Sequence, residues 1–66
     1  MVIRINGKEE CIEKNINLAQ LLAVKNLQPE RIVVEHNARV VAHAAWSGIT
    51  VQEHDTIEIV SFVGGG

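Results

Sequence analysis

The stretch Val2-Ile3-Arg4-Ile5-Asn6-Gly7 decides the fold. Apolar and polar residues alternate from Val2 to Ile5, placing Ile3 and Ile5 on one face, the period of a strand with one buried side. Asn6-Gly7 then supplies two residues that accept positive φ, as both central positions of a type I′ turn require. The spacing predicts a second strand over about Glu10 to Glu13, antiparallel to the first.

Beyond this hairpin the apolar period changes. Leu18, Leu21 and Leu22, with Lys25, fall at helical spacing and form one stripe of a single helix predicted over Asn17 to Leu27. Asn17 is suited to cap its first turn, with Gln20 at the third position as a variant of the capping box. Asn26 suits the C-terminal cap, and Pro29 blocks continuation. Arg31 to Glu35 is β-branched and reads as a central strand, apolar on both faces around Val33. A turn at Asn37-Ala38 leads to a short strand at Val40-Val41. Ala42 to Gly48 reads as a connecting loop with a short helical turn.

The last strand is predicted over about Thr56 to Phe62, with Ile57 and Ile59 inward and Glu58, Val60 and Phe62 outward. The order strand, strand, helix, strand, short strand, strand is an α+β arrangement. First and last strands are expected side by side in parallel with the helix as crossover. In 66 residues this describes a single β-grasp, or ubiquitin-like, domain over residues 1–66. The predicted core is Ile3, Ile5, Leu18, Leu22, Ile32, Val34, Ile57 and Ile59.

Composition narrows the function. An apolar fraction of 47% can support a core without staples, and the lone Cys11 allows no internal disulfide. No C-x-x-C or H-x-x-x-H spacing suggests a metal site. A formal charge of −2 and only two aromatics, Trp46 and Phe62, argue against nucleic acid. No targeting signal and no membrane-length apolar run is visible, and a free cysteine fits a reducing, cytoplasmic setting. Cys11 reads as an ordinary strand residue, His36, His43 and His54 as surface or loop residues, and Trp46 as a cover over one end of the core. No glycine-rich phosphate loop lies inside the chain, so any ATP site belongs to a partner.

The chain ends Val63-Gly64-Gly65-Gly66 directly after a strand. Glycines here cost backbone entropy and bury nothing. A frayed end is the ordinary alternative. The functional reading is a flexible tail over 63–66 that threads a narrow channel and presents an unhindered carboxylate. From Phe62 it reaches at most roughly 13–14 Å. Val60 and Phe62, with Val63 beside them, lie where a β-grasp sheet is normally solvated and read as a docking patch.

The run from Asp55 to Gly66 closely resembles the C-terminus of the ThiS family of sulfur carriers. The resemblance covers essentially the whole chain through Asn6-Gly7, Leu18-x-x-Leu21-Leu22, Val33-Val34-Glu35-x-Asn37 with Val40-Val41, Trp46 and Gly65-Gly66. Such carriers often have Gly-Asp before the last strand and Pro-Arg after the short one; His54-Asp55 and Ala42-His43 stand there instead. The resemblance implies a carrier and not an enzyme, with no bound cofactor. A ubiquitin-activating-like (ThiF-type) adenylyltransferase would use ATP to adenylate Gly66. A sulfur donor such as a cysteine desulfurase would then supply the sulfur of a C-terminal thiocarboxylate. A ThiG-type thiazole synthase would take it for the thiazole of thiamine. A carrier for molybdopterin, cysteine or tRNA thiolation, a ubiquitin-like modifier joined through Gly66, and a plain binding module remain alternatives.

Overall fold

The computed structural model describes residues 1–62. Strands β1 (Val2–Ile5), β2 (Lys8–Cys11), β3 (Ile32–His36), β4 (Arg39–Val41) and β5 (Thr56–Ser61) surround one helix, α1 (Leu18–Val24). Short 3-10 turns occupy Pro29–Arg31 and His43–Gly48. The strands form one five-stranded sheet in the order β2-β1-β5-β3-β4. Only the β1–β5 pair is parallel; the other ladders are antiparallel. This mixed sheet on one helix is the expected β-grasp arrangement.

Local chemistry sets the elements. Asn6 and Gly7 take φ of 50° and 82° and place Lys8 directly opposite Ile5. β2 therefore starts earlier than the predicted Glu10, because a two-residue turn leaves no intervening loop. Asn37 and Ala38, at φ of 51° and 71°, turn β3 into β4 in the same way, pairing His36 with Arg39.

The helix is shorter than the predicted Asn17 to Leu27. At its start the Asn17 side chain accepts from the Gln20 N–H at 2.8 Å while the Gln20 side chain accepts from the Asn17 N–H at 2.9 Å. At its end Asn26 adopts φ 60°. The Leu27 N–H donates to the Leu22 carbonyl and the Asn26 N–H to the Ala23 carbonyl. That pair of bonds is a Schellman cap with asparagine in the left-handed position, and it stops the helix before Pro29 is reached.

The core joins Ile3, Ile5, Ile32, Val34 and Ile57 from the sheet to Leu18, Leu21 and Leu22 from the helix. Trp46 and Val51, from the long connection after β4, close it. The Trp46 indole N–H donates to the Val41 carbonyl at 3.1 Å, so its polar edge is satisfied while the ring is buried. Ile59, predicted as core, is only half-buried. β1 ends at Ile5, in register with Ile57, so no strand of β1 flanks Ile59.

Candidate functional site

Of the functional residues predicted from the sequence, the structure describes Val60 in β5 and Phe62 just after it. Val63, Gly64, Gly65 and Gly66 lie outside the described residues. Val60 and Phe62 lie inside, and they are 58% and 50% exposed. Alternation along β5 puts Val60 on the face of the sheet away from the helix, with buried Ile57 on the other. Register extends the patch beyond what the chain order reveals. Val33 is the direct partner of Val60 across the β3–β5 ladder and is 39% exposed. Val40, on the same face one strand further out, is 70% exposed. An apolar surface on three adjacent strands thus stands beside the start of the C-terminal segment.

Two carboxylates share that face. Glu35 and Glu58 are direct partners in the ladder. Neither is in an ion pair among the described residues. Like charges placed opposite one another oppose folding slightly, so this surface sacrifices some stability.

β5 is fixed at both ends. At its start Asp55 is buried and accepts from His36 Nε2 at 2.7 Å, Asn37 Nδ2 at 3.1 Å and the Gln52 amide at 2.9 Å. Burial pushes the Asp55 carboxyl up, but the Gln52 amide, His36 and Asn37 together outweigh it and hold the pKa below its ordinary 3.8. Asn37 Oδ1 also accepts from the Thr56 N–H at 2.9 Å. This network ties the β3–β4 turn to β5. His36, read from sequence as a surface or loop residue, is instead a half-buried strand residue bound to Asp55. No local spacing announces a pair 19 residues apart. At the far end the Phe62 N–H donates to the Arg31 carbonyl at 3.0 Å.

His54 takes φ 68° in the turn closed by the Asp55 N–H on the Gln52 carbonyl. That is the position where glycine stands in many chains of the resembled family, and the left-handed backbone explains why glycine suits it. Cys11 is exposed on β2, an edge of the sheet. Among the described residues no helix is long and apolar enough to cross a membrane. Nor do three His, Cys, Asp or Glu side chains come together in metal-binding geometry.

A family model described as the ThiS family matches residues 3–66. The sulfur carrier protein ThiS of Bacillus subtilis is 33% identical over 98% of this chain and 100% of its own length. A thiazole synthase of Magnetococcus marinus is 38% identical over the whole chain, which spans only 20% of that protein. The crystal structure of the thiamine biosynthesis protein ThiS from Geobacter metallireducens superposes with a TM-score of 0.84 at 35% identity, covering 100% of both chains. With the β-grasp sheet and its exposed apolar face described, the match over residues 3–66 and the likeness to these relatives establish that the chain belongs to the ThiS family.

Proposed function

We propose that this chain carries sulfur for thiamine thiazole synthesis in the cytoplasm, with the Gly66 carboxylate as its working group. A carboxylate is a poor electrophile, because its charge is spread over two oxygens. In the proposed cycle a carboxylate oxygen attacks the α-phosphorus of ATP on a ThiF-type adenylyltransferase, and pyrophosphate leaves. The outer sulfur of a persulfide on a donor such as a cysteine desulfurase adds to the acyl carbon. AMP departs with one former carboxylate oxygen and the electron pair of the broken C–O bond. A thiol reductant, itself oxidised to a disulfide, then supplies the two electrons that cleave the resulting acyl disulfide and free the thiocarboxylate. The net change is one oxygen replaced by sulfur. Beyond that carboxylate the cycle asks no acid, base or nucleophilic side chain of the carrier; it contributes reach and recognition.

The observation that carries this reading is the exposed surface of Val33, Val60 and Phe62 on the strand system that runs directly into the glycine end. Val63 to Gly66 carry the chain at most roughly 13–14 Å from Phe62. A partner that grips this face holds the carboxylate within that distance. Thiazole synthase as the acceptor is supported by the Magnetococcus marinus protein, in which a segment similar to this chain is part of the synthase polypeptide.

The test is mass spectrometry of the intact protein after incubation with ATP, a sulfur source and the adenylating enzyme of the same genome. The expected gain is the difference between sulfur and oxygen, located in the C-terminal peptide and lost when Gly66 is deleted. A wild-type protein that never gains it, or a Gly66 deletion that gains it equally, refutes the reading. Attachment to lysines of other proteins would point to a modifier instead.

A further inference from the structure

We propose that Asn6 is a positioning residue for the reaction at Gly66, fixing where the C-terminal segment leaves the fold. This rests on the carrier reading above. β1 stops at Ile5, opposite Ile57. The Asn6 N–H then donates to the Ile57 carbonyl at 2.9 Å, after which the chain turns away through Gly7. β5 runs on to Ser61, so the Ile59 N–H has lost its strand partner on that flank. The Asn6 side chain replaces it: Oδ1 accepts from the Ile59 N–H at 2.7 Å, across 53 positions of sequence. One side-chain rung thus extends the β1–β5 ladder past the end of β1.

Beyond that rung this flank of β5 is open. A hollow of about 340 Å³ lies there, lined in part by Lys8, Lys25, Leu27 and Ser61. On the other flank β3 pairs as far as Ser61, and Arg31 takes the Phe62 amide. Among the described residues Asn6 is therefore the last grip on the β1 side, and the strand is held from both edges at Ile59 and from one edge between there and Phe62. Val60 and Phe62, on the recognition face, follow immediately. The Asn6 rung sets the point from which the remaining residues depart, and a misplacement of about 1 Å at a reacting centre is costly.

Turn chemistry does not explain Asn6 by itself. Glycine and aspartate also suit the first central position of a type I′ turn, but only a side chain with a carbonyl or carboxylate oxygen supplies the rung. That separation defines the experiment. Asn6→Gly keeps the turn and removes the acceptor; Asn6→Asp keeps both. Asn6→Ala, which burdens the turn with a Cβ in the left-handed region, is a second removal, read at a temperature where it is folded. Amide exchange at Ile59 is followed by NMR in the isolated protein, and adenylation kinetics with the genomic adenylating enzyme are measured at a temperature where melting curves show each variant folded. The expected result is an Ile59 amide exchanging at least about tenfold faster in Asn6→Gly. We expect kcat for adenylation to fall by roughly tenfold while KM for the carrier stays within about twofold, because the docking face is intact. Asn6→Asp restores both. Unchanged exchange at Ile59 overturns the rung. Faster exchange with unchanged kcat overturns the positioning role and leaves the carrier reading standing. Wild-type protein that is never adenylated overturns the carrier reading and this role together.

Discussion

Val33 and Val60 are direct partners across the antiparallel β3–β5 ladder, and both stand exposed on the face of the sheet away from the helix. A cross-strand valine pair contributes to the sheet whether or not anything covers it. Its exposure beside Phe62 creates an apolar surface at the end of β5, the kind that marks a binding site on a small protein, with Val40 on the same face opposite Glu35.

Phe62→Ala is therefore expected to weaken binding to the adenylating enzyme by more than about 2 kcal/mol, the scale of an aromatic interface anchor. Val60→Lys should act in the same direction. Titration calorimetry reads the affinity and circular dichroism the fold. Unchanged affinity for the enzyme and the sulfur acceptor alike would remove Phe62 from the interface.

Leu22 is buried on the helix stripe against the sheet. Leu22→Ala should cost roughly 2–5 kcal/mol through lost transfer energy and the cavity left behind. In so small a domain that loss is large relative to total stability. Urea denaturation is the measurement, and a near-neutral result would mean that the core collapses around the gap.

Ala38 sits at φ 71° in the β3–β4 turn. A Cβ in the left-handed region costs roughly 1–2 kcal/mol, while glycine gives back part of that gain as unfolded-state entropy. Ala38→Gly should raise stability by about 0.5–1 kcal/mol on balance, visible as a higher melting temperature with β3–β4 pairing retained. A lower melting temperature would contradict the turn geometry.

Asp55 gives the fold an acid-sensitive tie. Its folded-state pKa lies below the ordinary 3.8, so it contributes stability at pH above the unfolded-state value and loses it as pH falls through the folded-state value. Urea midpoints should decline below about pH 4. Asp55→Asn should be less stable at neutral pH and show a shallower acid decline. An equally steep decline in the variant would assign the acid loss to other carboxylates.

The parts legible in the sequence were those encoded by neighbours in the chain. Asn6-Gly7 specified its turn through backbone φ alone, Asn17 and Gln20 marked one end of the helix, and Asn26 marked the other. The parallel pairing of first and last strands followed from both being apolar with a helix between them. Relations that depend on register were hidden. Val33 read as a residue of a doubly covered strand because its sequence cannot say that one face of the sheet lies open. Ile59 read as core because nothing local reports where β1 stops. Val51 lies in an irregular connection with no period, and the link from His36 to Asp55 exists only once β3 and β5 are adjacent. Of the surface beside the tail, alternation along the last strand already marked Val60 and Phe62, while Val33 and Val40 joined it only through the strand order.

The placement of β5 between β1 and β3 has a mechanical consequence. A partner that captures Gly66 pulls on a strand at the middle of the sheet, parallel to β1 and antiparallel to β3. Force along β5 must shear several hydrogen bonds at once, whereas an edge strand would peel away rung by rung. In the proposed cycle a pull on the end of the chain would thus leave the shape of the sheet intact.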